Sequence, residues 1–134
     1  MLSGLDHLVI TVTDISRAVD FYTRVLGLDV RYRDRERVDL MLGELALRLH
    51  WTATDVHPRA ATPTPGSLDI CFKSQLPLAD VQQHLEALSV DIELGPVTRQ
   101  GATGKIESLY LRDPDGNLLE ICRPLREPQE QGEV

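Results

Sequence analysis

Four ionisable residues interrupt otherwise apolar stretches of the chain. His7 lies in LDHLVI, His50 ends LALRLH, Asp69 lies in SLDICF and Glu120 lies in NLLEIC. Burial of such a group is costly unless the group is paired or bound to a metal. Imidazole and carboxylate are suitable donors for a divalent first-row ion. The four residues together therefore predict a metal site, although each taken singly also fits a surface, capping or core role.

Three further polar residues are candidates for contact with a substrate. Strand alternation places Arg48 on the same face as His50, and it places Ser108 and Tyr110 together on the strand before Glu120. A guanidinium, a hydroxyl and a phenol could orient an anionic substrate. Arg48 fits equally well as a solvated strand charge, and Tyr110 as a core aromatic.

The elements that must position these residues follow from hydrophobic periodicity. In the first half, residues 5–12 have the β-branched composition of a strand, Asp14 can cap a helix, and Gly27 can end it. The strands expected after it are 28–34, 37–42 and 45–51. In the second half we expect a strand at 67–73, a helix beginning near Pro77, and strands at 91–98, 106–112 and 117–123.

The order of elements is thus βαβββ twice, and the letters repeat as well. Gly4-Leu5-Asp6-His7 aligns with Gly66-Ser67-Leu68-Asp69, so that His7 and Asp69 occupy equivalent positions. We predict an α+β fold in which two tandem βαβββ modules form a curled mixed sheet around a central site. The predicted parts are a single domain over 1–124 and a disordered tail over 125–134. The domain comprises module one at 4–51, a connector at 52–65 and module two at 66–124.

Composition narrows the class of protein. The net charge is −7 without a basic stripe, which argues against a nucleic-acid partner. No apolar run approaches the ~20 residues of a membrane-spanning helix, and the start lacks the pattern of a secretory signal. Cys71 and Cys122 lie in apolar runs without C-x-x-C spacing, so buried free thiols are expected. These features favour a cytoplasmic protein.

Three segments resemble the vicinal-oxygen-chelate superfamily, which includes glyoxalase I, fosfomycin-resistance thiol transferases, extradiol dioxygenases and bleomycin-resistance proteins. They are LDHLVITV near the start, DFYTRVLGL after it and LYLRDPDGNLLEI near the end. PGSLDIC and GPV…RxGAxG also look like a glyoxalase-domain subgroup. The resemblance implies paired modules around one divalent ion (Mn, Fe, Co, Ni or Zn), with ligand positions at His7, His50, Asp69 and Glu120. Relatives often carry His at the position of Asp69, and glyoxalase I relatives carry Glu in the region of His50.

The resemblance implies a metal-dependent, glyoxalase-like lyase or isomerase. Its substrate would be a small oxygenated metabolite or its thiol adduct, and Glu120 could also move a proton. The alternatives are a thiol transferase that opens an epoxide and a metal-free module that sequesters a drug. An extradiol dioxygenase ranks below these. All four ligand positions hold a residue that can bind a metal, and this favours metal chemistry over sequestration of a drug.

We predict a homodimer, because the two modules of a 15.0 kDa chain should leave a long sheet edge and an open concave sheet exposed. The connector at 52–65 is long enough for modules to pair within or between chains. Sedimentation at micromolar concentration should give the mass of two chains. The mass of one chain would contradict the prediction.

Overall fold

The computed structural model describes residues 1–34 and 37–125 of the chain. Eight strands and two helices occur among them, in the predicted order βαβββ–βαβββ, which confirms the α+β class. The elements of the first half are β1 (His7–Val12), α1 (Ile15–Arg24), β2 (Asp29–Tyr32), β3 (Val38–Leu42) and β4 (Leu45–Trp51). Those of the second half are β5 (Asp69–Lys73), α2 (Leu78–Ala87), β6 (Leu94–Gln100), β7 (Lys105–Arg112) and β8 (Leu118–Pro124). Except for Leu125, the predicted tail lies outside the described residues.

The first half forms a four-stranded mixed sheet in the order β1-β4-β3-β2. β1 runs parallel to β4, whereas β3 is antiparallel to both of its neighbours. One face is the core, because alternate residues of β1, β3 and β4 are almost fully buried: Ile10, Val12, Val38, Leu40, Leu47 and Leu49. The other face therefore carries the intervening residues, which include His7, Arg48 and His50.

Helix α1 forms where the sequence predicts it. The Asp14 carboxylate accepts the backbone N–H of Arg17 at 3.1 Å and so caps the first turn. Ala18, Tyr22 and Val25 form the buried stripe of the helix. The chain leaves the helix through Gly27, whose φ of +74° is a conformation that glycine adopts without strain.

The second sheet repeats the order of the first, as β5-β8-β7-β6. Pro77 precedes α2, whose buried residues Leu78, Val81 and Leu85 are spaced by three and four. β6 begins at Leu94 rather than at residue 91, because Ser89 with φ of +57° ends the helix and an irregular segment follows. The same topology in both halves agrees with the internal repeat.

The described chain separates into two compact units. The first comprises Met1–Leu68 with Asp113–Leu118, and the second comprises Asp69–Arg112 with the residues from Leu119 onward. The D-P-D-G-N turn at 113–117 thus belongs with the first module, although it comes from the second half of the sequence. The Asp113 carboxylate is buried and accepts the Tyr22 hydroxyl at 2.7 Å.

The cysteines correct one expectation. Both are free, as predicted, and Cys122 is buried, but Cys71 is exposed. The cause is the alternation of β5, in which Phe72 points into the core while Cys71 shares the open face with Asp69 and Lys73. No helix within the described ranges is long and apolar enough to cross a membrane.

We predict that Tyr22→Phe lowers the free energy of unfolding by about 1–3 kcal/mol, the range for a hydrogen bond to a charged group. The reason is that the substitution leaves the buried Asp113 carboxylate without one donor. The measurement is urea denaturation. Tyr32→Phe is the matched control, since Tyr32 is largely exposed, and it should change stability by less than about 0.5 kcal/mol. Equal effects of the two substitutions would contradict the role given to Tyr22.

Candidate metal and substrate site

His7 lies at the start of β1 with both ring nitrogens engaged. Nδ1 is 2.8 Å from the Asp6 carboxylate, and Nε2 is 3.2 Å from Nη1 of Arg48. A carboxylate can only accept and a guanidinium can only donate. Nδ1 therefore carries the proton, and Nε2 presents a lone pair. This is the neutral tautomer that binds metals, with a carboxylate behind the ring.

Arg48 is held in place by a buried carboxylate on the neighbouring strand. Asp39 is 2% exposed and accepts Arg48 Nε at 3.0 Å and Nη2 at 3.2 Å. It also accepts Nη2 of Arg33 at 2.9 Å. The hydrogen bond from Arg48 is the main cause that lowers the pKa of Asp39, and the same bond raises the pKa of Arg48. Asp39 therefore stays ionised and fixes the direction of the Arg48 guanidinium.

His50 lies two residues beyond Arg48 on the same face of β4, paired with Thr11 of β1. Burial lowers the pKa of His50, and the charge of Arg48 lowers it further. Its imidazole is therefore neutral at pH 7, the form that a metal requires. His50 also lines a cavity of about 260 Å³. The remaining wall includes Thr11, Trp51 and the connector residues Thr52, Pro63 and Thr64.

In the second unit, Glu120 is oriented by a buried hydroxyl. Ser108 Oγ donates to Glu120 Oε2 at 2.6 Å, and Ser108 is fully buried. The Ser74 N–H donates to the Cys122 carbonyl at 2.9 Å, a parallel register that places Cys71 directly beside Glu120. Although Cys71 is exposed as a residue, partial desolvation of its thiol among these neighbours raises the pKa to about 12, with Cys122 and Glu120 adding to the effect. Cys71 is therefore a protonated thiol in this state.

Asp69 and Tyr110 also belong to the second unit. Asp69 is the exposed first residue of β5. Its charge contributes to the raised pKa of Arg112, after the larger effect of the Glu93 ion pair. The Tyr110 hydroxyl accepts Arg99 Nε at 3.1 Å, and the guanidinium lies 5.7 Å from the ring centroid. Tyr110 is thus a partner of Arg99 rather than a core aromatic.

The structure joins some of the predicted residues into two groups. His7, Arg48 and His50 share one face of the first unit, whereas Ser108 and Glu120 are bonded in the second. Within residues 1–34 and 37–125, no three His, Cys, Asp or Glu side chains are close enough together to hold a metal ion.

The two registers also give the correspondence between the modules. In the first, Val9 pairs with Arg48. In the second, Cys71 is the partner of Glu120. Because the repeat aligns His7 with Asp69, the residues two positions further, Val9 and Cys71, are also equivalent. Arg48 is therefore the counterpart of Glu120, and His50 lies two residues beyond that position.

Two residues of the site were missed by the sequence analysis. Asp39 in VDLML interrupts an apolar strand in the same way as the four candidates did, so the same criterion could have found it. Cys71 follows Asp69 by two residues and therefore shares its face. Its position beside Glu120 depends on the pairing of β5 with β8, which the sequence alone does not give.

Several known proteins are similar to this chain over most of its length. A virulence protein of Salmonella typhimurium, STM3117, is 44% identical over 92% of this chain and 85% of its own. The crystal structure of that protein superimposes with a TM-score of 0.90 and 42% identity, covering 93% of this chain and 99% of its own.

Two further relatives carry names that describe their class. The glyoxalase domain-containing protein RDO1 of Mycosarcoma maydis is 44% identical over 88% of this chain, which spans 66% of that protein. The glutathione transferase FosA of Serratia marcescens is 30% identical over 90% of this chain and 81% of its own.

Residues 4–121 match the family model of the Glyoxalase/Bleomycin resistance protein/Dioxygenase superfamily. The match covers both modules and all four residues proposed as ligands. The repeated βαβββ topology and the similarity to a glyoxalase-domain protein agree with it. The chain belongs to the Glyoxalase/Bleomycin resistance protein/Dioxygenase superfamily.

Proposed function

We propose that this chain is a metal-dependent enzyme of its superfamily, a glyoxalase-like lyase or isomerase. Its substrate would be a small oxygenated metabolite or the thiol adduct of one. The observation that carries the proposal is the state of His7. Its Nδ1 is bound to Asp6, so that Nε2 carries the lone pair that a metal ion requires; in this structure that lone pair accepts Arg48 Nη1–H at 3.2 Å, a contact that a bound ion would replace.

The donor set fits a divalent first-row ion. His7 and Glu120 anchor the ion in this proposal, and His50 and Asp69 complete or flank the ligand set. Two neutral imidazoles and two carboxylates suit Mn, Fe, Co, Ni or Zn. When bound, such an ion supplies Lewis acidity to neighbouring substrate oxygens.

The chain's own residues have separate roles in this proposal. Glu120 is the catalytic residue, because a carboxylate that contacts substrate can accept and return a proton. Ser108 positions it through the 2.6 Å hydrogen bond to Oε2, which leaves the rest of the carboxylate to other partners. Arg48 and Tyr110 orient the substrate by charge and by a phenolic hydroxyl.

A second candidate is a thiol transferase that opens an epoxide. It is favoured by the 30% identity to a protein named as a glutathione transferase. The two enzyme activities differ in whether a free thiol is consumed as a cosubstrate. A metal-free module that sequesters a drug is the remaining alternative, and it would need none of the proposed ligands.

We predict that His7→Ala and Glu120→Gln each weaken metal binding by roughly tenfold or more, since even outer-shell changes act on that scale. The measurement is calorimetric titration of Mn²⁺ and Zn²⁺ into chelator-treated protein. His57→Ala is the matched control, because His57 is an exposed residue of the connector whose Nδ1 lies 2.6 Å from the Asp55 carbonyl. Its affinity should equal that of the wild type.

Absence of binding by the wild type, or unchanged affinity in both variants, would contradict the enzyme proposal and favour the sequestering module. Loss of binding in His57→Ala alone would place the ion elsewhere. Circular dichroism of each variant separates loss of a ligand from loss of the fold.

A further inference from the structure

The cavity of about 260 Å³ beside His50 lies between the connector and strands β1 and β4. Every residue that lines it belongs to the first unit, including Asn117 of the D-P-D-G-N turn. An apolar cavity of about 150 Å³ is large enough to bind a benzene ring. This cavity therefore has room for an aromatic ring that carries a small substituent.

We propose that this cavity binds a neutral aromatic group with a hydroxyl substituent, and that the His50 imidazole forms a hydrogen bond with that hydroxyl. That the group belongs to a substrate rests on the enzyme function proposed above. The cavity and its ligand are argued from the contacts of the first unit alone. The proposal places His50 at the flank of the metal ion rather than among its ligands.

The wall of the cavity is suited to a flat apolar ring. Pro58 and Pro63 of the connector line it, together with Val9 of β1. Trp51 lines it as well, and this large aromatic residue is 50% exposed. Large apolar side chains that lie together at a surface mark a binding groove. An aromatic ring that packs against them would remove this apolar surface from water.

Several polar side chains of the wall are already hydrogen-bonded within the protein. Ser67 Oγ donates to the Thr64 carbonyl at 2.7 Å, and Thr64 Oγ1 donates to the Thr62 carbonyl at 3.1 Å. The Asn117 amide accepts a backbone N–H at 2.9 Å and donates to the buried Asp113 carboxylate at 2.7 Å. These groups therefore need no polar partner from a ligand.

His50 differs from these residues, because its imidazole has no hydrogen-bond partner within residues 1–34 and 37–125. It pairs in register with Thr11 of β1, so the two side chains lie together on the cavity wall. A neutral imidazole donates through one nitrogen and accepts through the other. A hydroxyl also donates and accepts, so it matches His50 in either orientation.

The charges around the cavity favour a neutral ligand. Among the wall residues that the structure describes, Arg59 alone carries a permanent charge, and none is an Asp or a Glu. Arg59 is exposed and its Nη1 donates to the Thr54 carbonyl at 2.6 Å, so solvent screens its charge. A carboxylate that entered the cavity would lose its hydration for this one screened cation. Burial of a hydroxyl that bonds to His50 costs far less.

The test is titration of phenol into chelator-treated protein, followed by the fluorescence of Trp51, the only tryptophan of the chain. Excitation at the red edge of the indole absorption avoids absorption by phenol. We expect Ala60→Phe to weaken phenol binding by about tenfold or more, because Ala60 lines the cavity and the larger side chain overfills it. Ala61→Phe is the matched control, since the neighbouring Ala61 is equally exposed and is not part of the wall. Its affinity for phenol should equal that of the wild type.

Toluene tests the role of His50, because it has the shape of phenol with a methyl group in place of the hydroxyl. We expect His50→Leu to weaken phenol binding by about two- to tenfold, the range for a neutral hydrogen bond. The same substitution should leave toluene binding unchanged or strengthen it. An equal loss for both ligands, or unchanged phenol affinity, would overturn the role given to His50.

Absence of phenol binding by the wild type would overturn the proposal, and so would wild-type affinity in a folded Ala60→Phe variant. Tighter binding of benzoate than of phenol would assign the cavity to an anion instead. Melting temperatures identify the variants that fold. Ala60→Leu is the smaller substitution if Ala60→Phe does not fold, and it should still weaken phenol binding several-fold.

The phenol titration contains no metal and the metal titration contains no phenol, so their failures can be told apart. Metal binding without phenol binding leaves the enzyme proposal standing and removes this one. Phenol binding that Ala60→Phe abolishes, without metal binding, does the reverse. A loss of metal affinity of about tenfold in His50→Leu would place His50 among the ligands and overturn its assignment to the cavity.

Discussion

The buried carboxylate of Asp113 is the constraint on which the arrangement of the strands depends. Its two oxygens accept hydrogen bonds from the Tyr22 hydroxyl, the Asn117 amide and the backbone N–H groups of Asp115 and Asn117. Asn117 in turn accepts the N–H of Leu68 at 2.9 Å. A buried carboxylate without these donors would cost several kcal/mol. The turn is therefore held at both ends, and Leu118, the first residue of β8, follows it directly and donates its N–H to the Leu68 carbonyl at 3.0 Å. From that starting point, the parallel ladder brings Glu120 next to Cys71.

The same fold can therefore carry different chemistry in its two halves. Backbone hydrogen bonds define the position of a side chain on the sheet, whereas the side chain itself decides whether that position offers a proton acceptor or a cation. The cation at Arg48 is held by Asp39, and the proton acceptor at Glu120 is held by Ser108. The Arg48 guanidinium donates to the buried carboxylate of Asp39, whereas the Glu120 carboxylate accepts the buried hydroxyl of Ser108. In this chain the two βαβββ units share their strand order, while Arg48 in one and Glu120 in the other carry opposite charges at equivalent positions.

Sequence reasoning predicted the elements well because their causes are local. The Asp14 cap, the spacing of Ala18 and Tyr22, and Gly27 after the helix each act within a few residues. The contacts within the site were harder to predict, because the register between paired strands decides which side chains are neighbours. Arg48 was expected to share a face with His50, and it does, but its bond to His7 depends on the pairing of β1 with β4. The burial of Asp39 needed the same knowledge, because two arginines from other positions cover it.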